Sequence, residues 1–420
     1  MKNSGVEWIG EIPDEWEITR SKNIFTQRSS KGNSVEEQLA ATQQHGMYPQ
    51  RLLEGVVQVK EDTDLQQFKT VHKNDYVISL RSFQGGFEMS DYEGVCSPAY
   101  QVFYNTIPIS YRYYKYLFKS DGFISKMNSL TVGIREGKNI QYKDFSNSPI
   151  IIPPKSTQQH IASYLDKKCN KIEETIQNQQ QVIEKLKAYK QSLITEAVTG
   201  KIKIQNGKVC GKYESYKDSG VEWIGKIPSK WKVGKFGRFA QVKSNLVDPN
   251  LYLEYPQIAP DNIGKGTGKL IDWQTVKDSG VISWNHLFYK GQIVYSKIRP
   301  TLNKLIIAPF DGLCSADMYP IETNMHKQFF VYMMLSQYFV EQVGLITRDR
   351  VKMPKINQNE LSGILITVPT KDEQKEIADY LDKKCTTIDT AIEQKQKLIE
   401  KLTEYKKSLI YECVTGKKAI

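Results

Sequence analysis

Two stretches of this chain repeat apolar positions in alternating steps of four and three. Ile172, Ile176, Gln179, Ile183, Leu186, Lys190, Leu193 and Ala197 form the first; Ile388, Ile392, Lys395, Ile399, Leu402, Lys406, Leu409 and Cys413 repeat it in the same phase. A 3-4 repeat sustained over several heptads predicts the seam of a coiled coil. Helix pairing is therefore assigned to Ile172, Ile176, Ile183, Leu186 and Leu193 in one helix and Ile388, Ile392, Ile399, Leu402 and Leu409 in the other. The polar steps Gln179/Lys395 and Lys190/Lys406 recur at matching places, where they can fix register at some cost in stability. Prolines 153, 154 and 369 precede the helices, and Ser156 with Gln159 and Thr370 with Glu373 read as capping boxes. Gly200 and Gly416 stand where a helix stops. From Ser156 to Gly200 such a helix runs roughly 65 Å, and two of them joined through a whole domain can pair antiparallel. A second apolar line, Val182/Leu398, Tyr189/Tyr405 and Ile194/Ile410, accompanies the seam. It serves either a wider helix–helix interface or the docking of another protein.

Between these helices the periodicity changes. Asp75 to Leu80, Ser148 to Ile152, Gln292 to Ser296, Leu305 to Ile307 and Gly363 to Thr367 read as strands. Tyr111 to Phe118, Phe123 to Met127 and Phe329 to Val343 read as helices. The expected fold class is α+β: two α+β domains separated by two long antiparallel coiled-coil helices with a pseudo-two-fold relation. The boundaries read as 1–152 for the first domain, 153–213 for the first helix and linker, 214–368 for the second domain and 369–420 for the second helix.

The chain repeats itself. The tag Ser4-Gly-Val-Glu-Trp-Ile-Gly-Glu-Ile-Pro-Asp-Glu-Trp16 returns at Ser219 to Trp231, with 10 of 15 positions identical between 4–18 and 219–233. Tyr164 to Lys201 returns as Tyr380 to Lys417, with 23 of 38 identical. The intervening segments are nearly equal in length and mostly unlike one another. A frame that stayed alike around inserts that diverged suggests a fixed scaffold presenting two different readers.

Composition adjusts this picture modestly. With 58 Lys+Arg against 47 Asp+Glu, the net charge of +11 favours anionic partners, nucleic acid first. The surplus is uneven: residues 1–155 hold 18 basic and 18 acidic side chains, residues 215–370 hold 19 and 13. Six scattered cysteines contain no CxxC pair and suit a reducing compartment. No run approaches the roughly 18 apolar residues of a spanning helix, so no membrane partner is expected and the placement expected is cytoplasmic.

Both domains place an arginine just after a strand: Arg81-Ser-Phe-Gln-Gly-Gly86 in the first, Arg299-Pro-Thr-Leu-Asn-Lys304 in the second. A later loop carries Arg135 and Lys138, and its counterpart Arg348, Arg350 and Lys352. Such side chains read base edges or clasp phosphates. The DNA-contacting set is accordingly Arg81, Ser82, Gln84, Arg135 and Lys138, with Lys297, Arg299, Asn303, Lys304, Arg348, Arg350 and Lys352. For any one arginine a structural salt bridge competes equally. Catalytic patterns fail: Gly264-Lys-Gly-Thr-Gly-Lys-Leu270 lacks phosphate-loop spacing, and Glu136-Gly-Lys138 is half of a nuclease pattern. The five histidines are isolated, so neither a metal site nor a catalytic residue is expected. A coiled-coil assembly protein whose α+β domains bind proteins is the competing reading, supported by the neutral first domain.

These features resemble the DNA specificity subunit of type I restriction–modification systems. The resemblance rests on the repeated tags, the openings Gln158 to Asp166 and Gln374 to Asp382, the Thr-Gly-Lys ends, and the loops around Ser79 to Gly86 and Tyr295 to Pro300. It implies that each domain reads one half of a bipartite double-stranded DNA site and that the paired helices set the unread spacer. It also implies that the helices dock two methyltransferase subunits, at Val182, Tyr189, Ile194, Leu398, Tyr405 and Ile410. S-adenosylmethionine, ATP and magnesium would then act on partner subunits, with translocase–nuclease subunits completing a restriction complex.

Overall fold

A computed structural model describes residues 1–31, 37–43, 45–53, 67–79, 86–130 and 140–420. The chain divides into two compact units, 1–179 with 396–420 and 180–395. Each unit therefore combines one α+β domain with part of each long helix.

The two α+β domains share a framework. In the first, a four-stranded antiparallel sheet runs in the order Phe25–Arg28, Gln101–Asn105, Tyr76–Ile78, Phe87–Met89. In the second, the same order is Ala240–Val242, Met318–Thr323, Ile293–Ser296, Leu305–Ile307. Each is accompanied by an antiparallel pair, Glu17–Arg20 with Pro149–Ile152 and Lys232–Lys235 with Leu365–Val368. The inner strands Tyr76–Ile78 and Ile293–Ser296 are buried along their whole length, which is why they read as continuous apolar runs. Outside the framework the domains part. The first has two small hairpin-like sheets, Leu39–Thr42 with Gly46–Pro49 and Lys69–Val71 with Gly94–Cys96. The second builds a five-stranded sheet containing Asn285–Phe288, Gly312–Cys314 and Pro256–Ile258.

The first core is aromatic: Phe25, Tyr76, Phe87, Phe103, Tyr114, Phe118, Phe123 and Phe145 are buried together, several edge to face. In the second, Met325, Phe329, Phe330, Met333, Met334 and Phe339 belong to one buried cluster with Phe236 and Trp231. The helix expected from Phe329 to Val343 is broken. Lys327–Leu335 and Gln337–Thr347 meet at 58° across Ser336. Ser336 adopts extended backbone as the N-cap of the second segment, so the helical hydrogen-bond ladder cannot pass through it. Ser120 occupies the equivalent break between Tyr111–Phe118 and Asp121–Ser129, and each serine hydroxyl donates to the carbonyl three residues back, of Leu117 or Met333. No single helix among the described residues is long and apolar enough to cross a membrane.

The long helices are Lys155–Val198 and Lys371–Val414. Thr370 and Glu373 form a reciprocal cap on the second. Ser156 lies inside the first turn of the first helix, so the capping box read there does not mark its start. Both C-terminal ends close alike: Lys201 N–H donates to Glu196 O at 2.9 Å and Lys417 N–H to Glu412 O at 2.9 Å, around Gly200 and Gly416 at φ +71° and +73°.

Candidate nucleic-acid interface and helix surfaces

The seam residues divide between buried and partly buried positions. Ile172, Ile183, Leu193, Ile388 and Leu409 are buried, and Ile176, Leu186, Ile392, Ile399 and Leu402 are partly buried. The polar seam lysines are not idle. In one unit Lys190 donates to Asp389 at 2.7 Å, and in the other Lys406 binds Glu173. Lys190 and Lys406 stand 216 residues apart, as do Glu173 and Asp389, so a single cross-helix ion pair occurs twice. Asp389 takes a third group, Lys269, at 2.8 Å. Burial opposes the charged form of Asp389, but hydrogen bonds from both lysines hold its carboxyl below the ordinary value. The glycine-rich run from Gly264 thus ends by tying its domain to the helix beneath it.

The second apolar line splits. Ile194 and Ile410 are buried in the domain cores, because the last helical turns carry the domains on that face. They cannot dock a partner, which corrects their assignment. Val182 is partly buried, while Leu398, Tyr189 and Tyr405 are exposed, the tyrosines by 55% and 51%.

Each domain is pinned to its helix by a repeated set of bonds. Tyr116 hydroxyl donates to Asp166 at 2.8 Å, and Tyr332 to Asp382 at 2.7 Å. Burial chiefly, with the adjacent carboxylate, raises both phenol pKa values, so they remain donors. Gln158 donates to Pro153 O and accepts from Ser110 N–H; Gln374 does the same with Pro369 O and His326 N–H. These joints escape a reading of the two repeated blocks because Tyr116, Ser120, Tyr332 and Ser336 lie outside them. Their signal is the same 216-residue spacing inside the divergent segments.

The DNA-contacting set separates three ways. Arg81, Ser82, Gln84, Arg135 and Lys138 lie outside the described residues. Asn303 and Lys304 are buried and serve the fold: Asn303 Nδ2 donates to Met334 O, and Lys304 Nζ to Pro260 O at 2.7 Å and to Asp261. Their removal from the contact set follows from that burial. Arg350 is held by the Glu360 carboxylate and the Lys355 carbonyl, and this bond keeps Glu360 below its ordinary pKa. Its guanidinium, though exposed, braces the loop through these bonds.

Lys297, Arg299, Arg348 and Lys352 remain on one pair of loops. Arg299 N–H donates to Pro354 O at 2.7 Å, Ile356 N–H to Lys297 O at 3.0 Å, and Ile298 bridges Lys355. Arg299, Arg348 and Lys352 are exposed; Lys297 lies 5.1 Å above the Tyr319 ring. Burial, then the Lys297 charge, pushes His286 below its ordinary value, so its imidazole is neutral at pH 7. Arg299, Asn303 and Met353 all take positive φ, a conformation costing non-glycine residues roughly 1–2 kcal/mol. Strain gathered in one loop pair is a mark of binding surfaces. Among the described residues no cluster of three metal-ligating side chains occurs.

Fold and surface together define a duplicated carrier: two related but divergent readers, each locked to a long helix, with a strained basic loop pair exposed in the second domain. The family model for the type I restriction modification DNA specificity domain matches residues 13–185 and 228–403. The specificity subunit of the Escherichia coli type I restriction enzyme EcoDI is 32% identical over 352 residues, 80% of this chain and 77% of that protein. The MjaVIII specificity subunit of Methanocaldococcus jannaschii is 25% identical over 437 residues, covering 97% of this chain and 93% of its own. A chain from a solved type I R-M system, described for its complex assembly and conformational transition, superposes with a TM-score of 0.71 at 12% identity. It covers 96% of this chain and 98% of that one, and it bears on the fold alone. The chain belongs to the type I restriction–modification DNA specificity family.

Proposed function

We propose that this DNA specificity subunit reads the second half of its bipartite site through the loops at 297–304 and 348–356, and the first half through the equivalent domain. The observation that carries the reading is the repetition of one mounting, Tyr–Asp joint, glutamine staple and cross-helix ion pair, under two unlike surfaces. Identical mountings under divergent readers suit two half-sites of different sequence. Arg299→Ala should weaken recognition of one half-site by about 1–3 kcal/mol and leave the other unchanged. Binding to duplexes carrying single changes in either half checks this; equal loss on both halves overturns it. A steep fall in binding with salt is expected, since phosphate contacts release counterions.

The chain itself carries no chemistry in this reading. Two methyltransferase subunits bind it through the exposed faces around Tyr189 and Tyr405, supplying S-adenosylmethionine chemistry; ATP and magnesium act on further restriction subunits. Tyrosine at an exposed helix position offers a flat apolar ring with a polar tip, the composition of interface anchors. Tyr189→Asp and Tyr405→Asp should each weaken methyltransferase binding at least tenfold, while urea unfolding of the free chain stays within about 0.5 kcal/mol. Unchanged association by titration calorimetry would place the docking surface elsewhere.

A further inference from the structure

We propose that Val351 reads a thymine methyl group in the second half-site. The proposal rests on the reading that this domain contacts DNA through the 297–304 and 348–356 loops. Val351 is 95% exposed. Single exposed aliphatic residues are ordinary on protein surfaces, so exposure alone carries nothing. Two further observations distinguish this one.

The first is its footing. Arg350, its neighbour, is held on one side by Glu360 and Lys355 O, and Arg350 N–H donates to Thr347 O at 3.2 Å. On the other side Met353 takes φ +51° and Pro354 O accepts from Arg299 N–H. The loop is thus fastened at both feet, with a β-branched side chain of restricted rotamers at its tip. That arrangement presents two methyl groups at a defined place.

The second is the surrounding charge. Between Arg348 and Lys355 the chain carries four basic residues; Arg350 is held by Glu360 and Lys355 by Asp317 at 2.8 Å, while Arg348, beside Asp349, and Lys352 stand exposed. Arg299 approaches from the partner loop. Cations of this kind hold phosphates, and a small apolar group among them lies where a base edge would come. The apolar feature that a base pair shows in the major groove is the thymine C5 methyl, which apolar side chains contact directly. Valine is short and branched, suited to that methyl and unlike the long or aromatic wedges that separate base steps.

The test begins with methylome sequencing of cells expressing the assembled complex, which gives the site. Duplexes are then made in which each thymine of the site is replaced in turn by deoxyuridine, and binding of the native complex is compared with that of a Val351→Ala complex. Deoxyuridine at one position of the second half-site should weaken native binding about fourfold, the worth of one buried methyl. The Val351→Ala complex should bind the thymine and deoxyuridine duplexes alike, with the first half-site unaffected. A second half-site insensitive to every substitution, or a Val351→Ala complex with undiminished sensitivity, overturns the proposal. Failure of the underlying reading looks different: Arg299→Ala would then leave second-half recognition intact.

Discussion

Placing alanine at Gly200 or Gly416 should destabilise the protein by about 3–5 kcal/mol, far more than alanine at Gly207. All three glycines hold φ near +70°, a region that costs an L-residue roughly 1–2 kcal/mol. Gly207 has nothing within 4 Å of a would-be Cβ, so that cost stands alone there. At Gly200 the same Cβ would collide with the Pro228 ring and meet the Trp231 ring at 3.2 Å. At Gly416 it would collide with the Pro13 ring and meet Trp16 at 3.0 Å. The repeated Ile-Pro-x-x-Trp tag is therefore a cap seated on the end of a helix, and it closes on glycine because only glycine leaves room. Chemical unfolding of the three single variants measures the difference; equal losses would show that backbone strain, and not the seated tag, sets the cost. The contact also explains why tag and helix end stayed alike in both copies while the surfaces between them diverged.

The second large effect concerns the paired lysines. Removing the carboxylate in Asp389→Ala leaves Lys190 and Lys269 facing one another at a site where Lys190 and Asp389 side chains are 15% and 22% exposed. Uncompensated charge at such depth costs about 2–3 kcal/mol, below the 3–5 of a fully buried pair. Glu173→Ala removes the equivalent carboxylate where the pair is more open, 50% for Glu173 and 26% for Lys406, and should cost under about 1 kcal/mol. The two substitutions are alike in sequence context, so the difference isolates burial and the second cation, Lys269. Lys190→Leu combined with Asp389→Leu should recover most of the loss while loosening the register that the charges specify. Unfolding in urea, read for each variant and the double, decides it; a loss from Glu173→Ala as large as that from Asp389→Ala would refute the argument from burial.

Much of this architecture is written in local pattern. A 3-4 repeat of apolar residues gives a helix one continuous buried face, so Ile172 to Ala197 and Ile388 to Cys413 announce long helices with an apolar seam. The positive φ after each helix needs glycine, and Gly200 and Gly416 mark those ends directly. The α+β character of the divergent segments follows from short β-rich runs such as Asp75 to Leu80 and Gln292 to Ser296. Legibility fails where a side chain's role depends on neighbours remote in the chain. Asn303 and Lys304 have the composition of DNA contacts, yet their polar groups are spent on Met334, Pro260 and Asp261, partners set by how the loops fold back. Arg350 looks like its neighbours until Glu360 claims it. Ile194 and Ile410 share a helical line with Tyr189 and Tyr405 but fall where the domains pack.

The duplicated helix with its heptad seam, the repeated tag and the two-reader order were determined by the sequence alone, because periodicity, glycine backbone freedom and self-similarity are local or countable properties. Which cations remain available, which apolar residues stay open, and that each tag seats on a helix end were decided by tertiary structure. The reason is physical: a charge or a methyl group has no fixed role until packing settles whether water, a carboxylate or another side chain meets it.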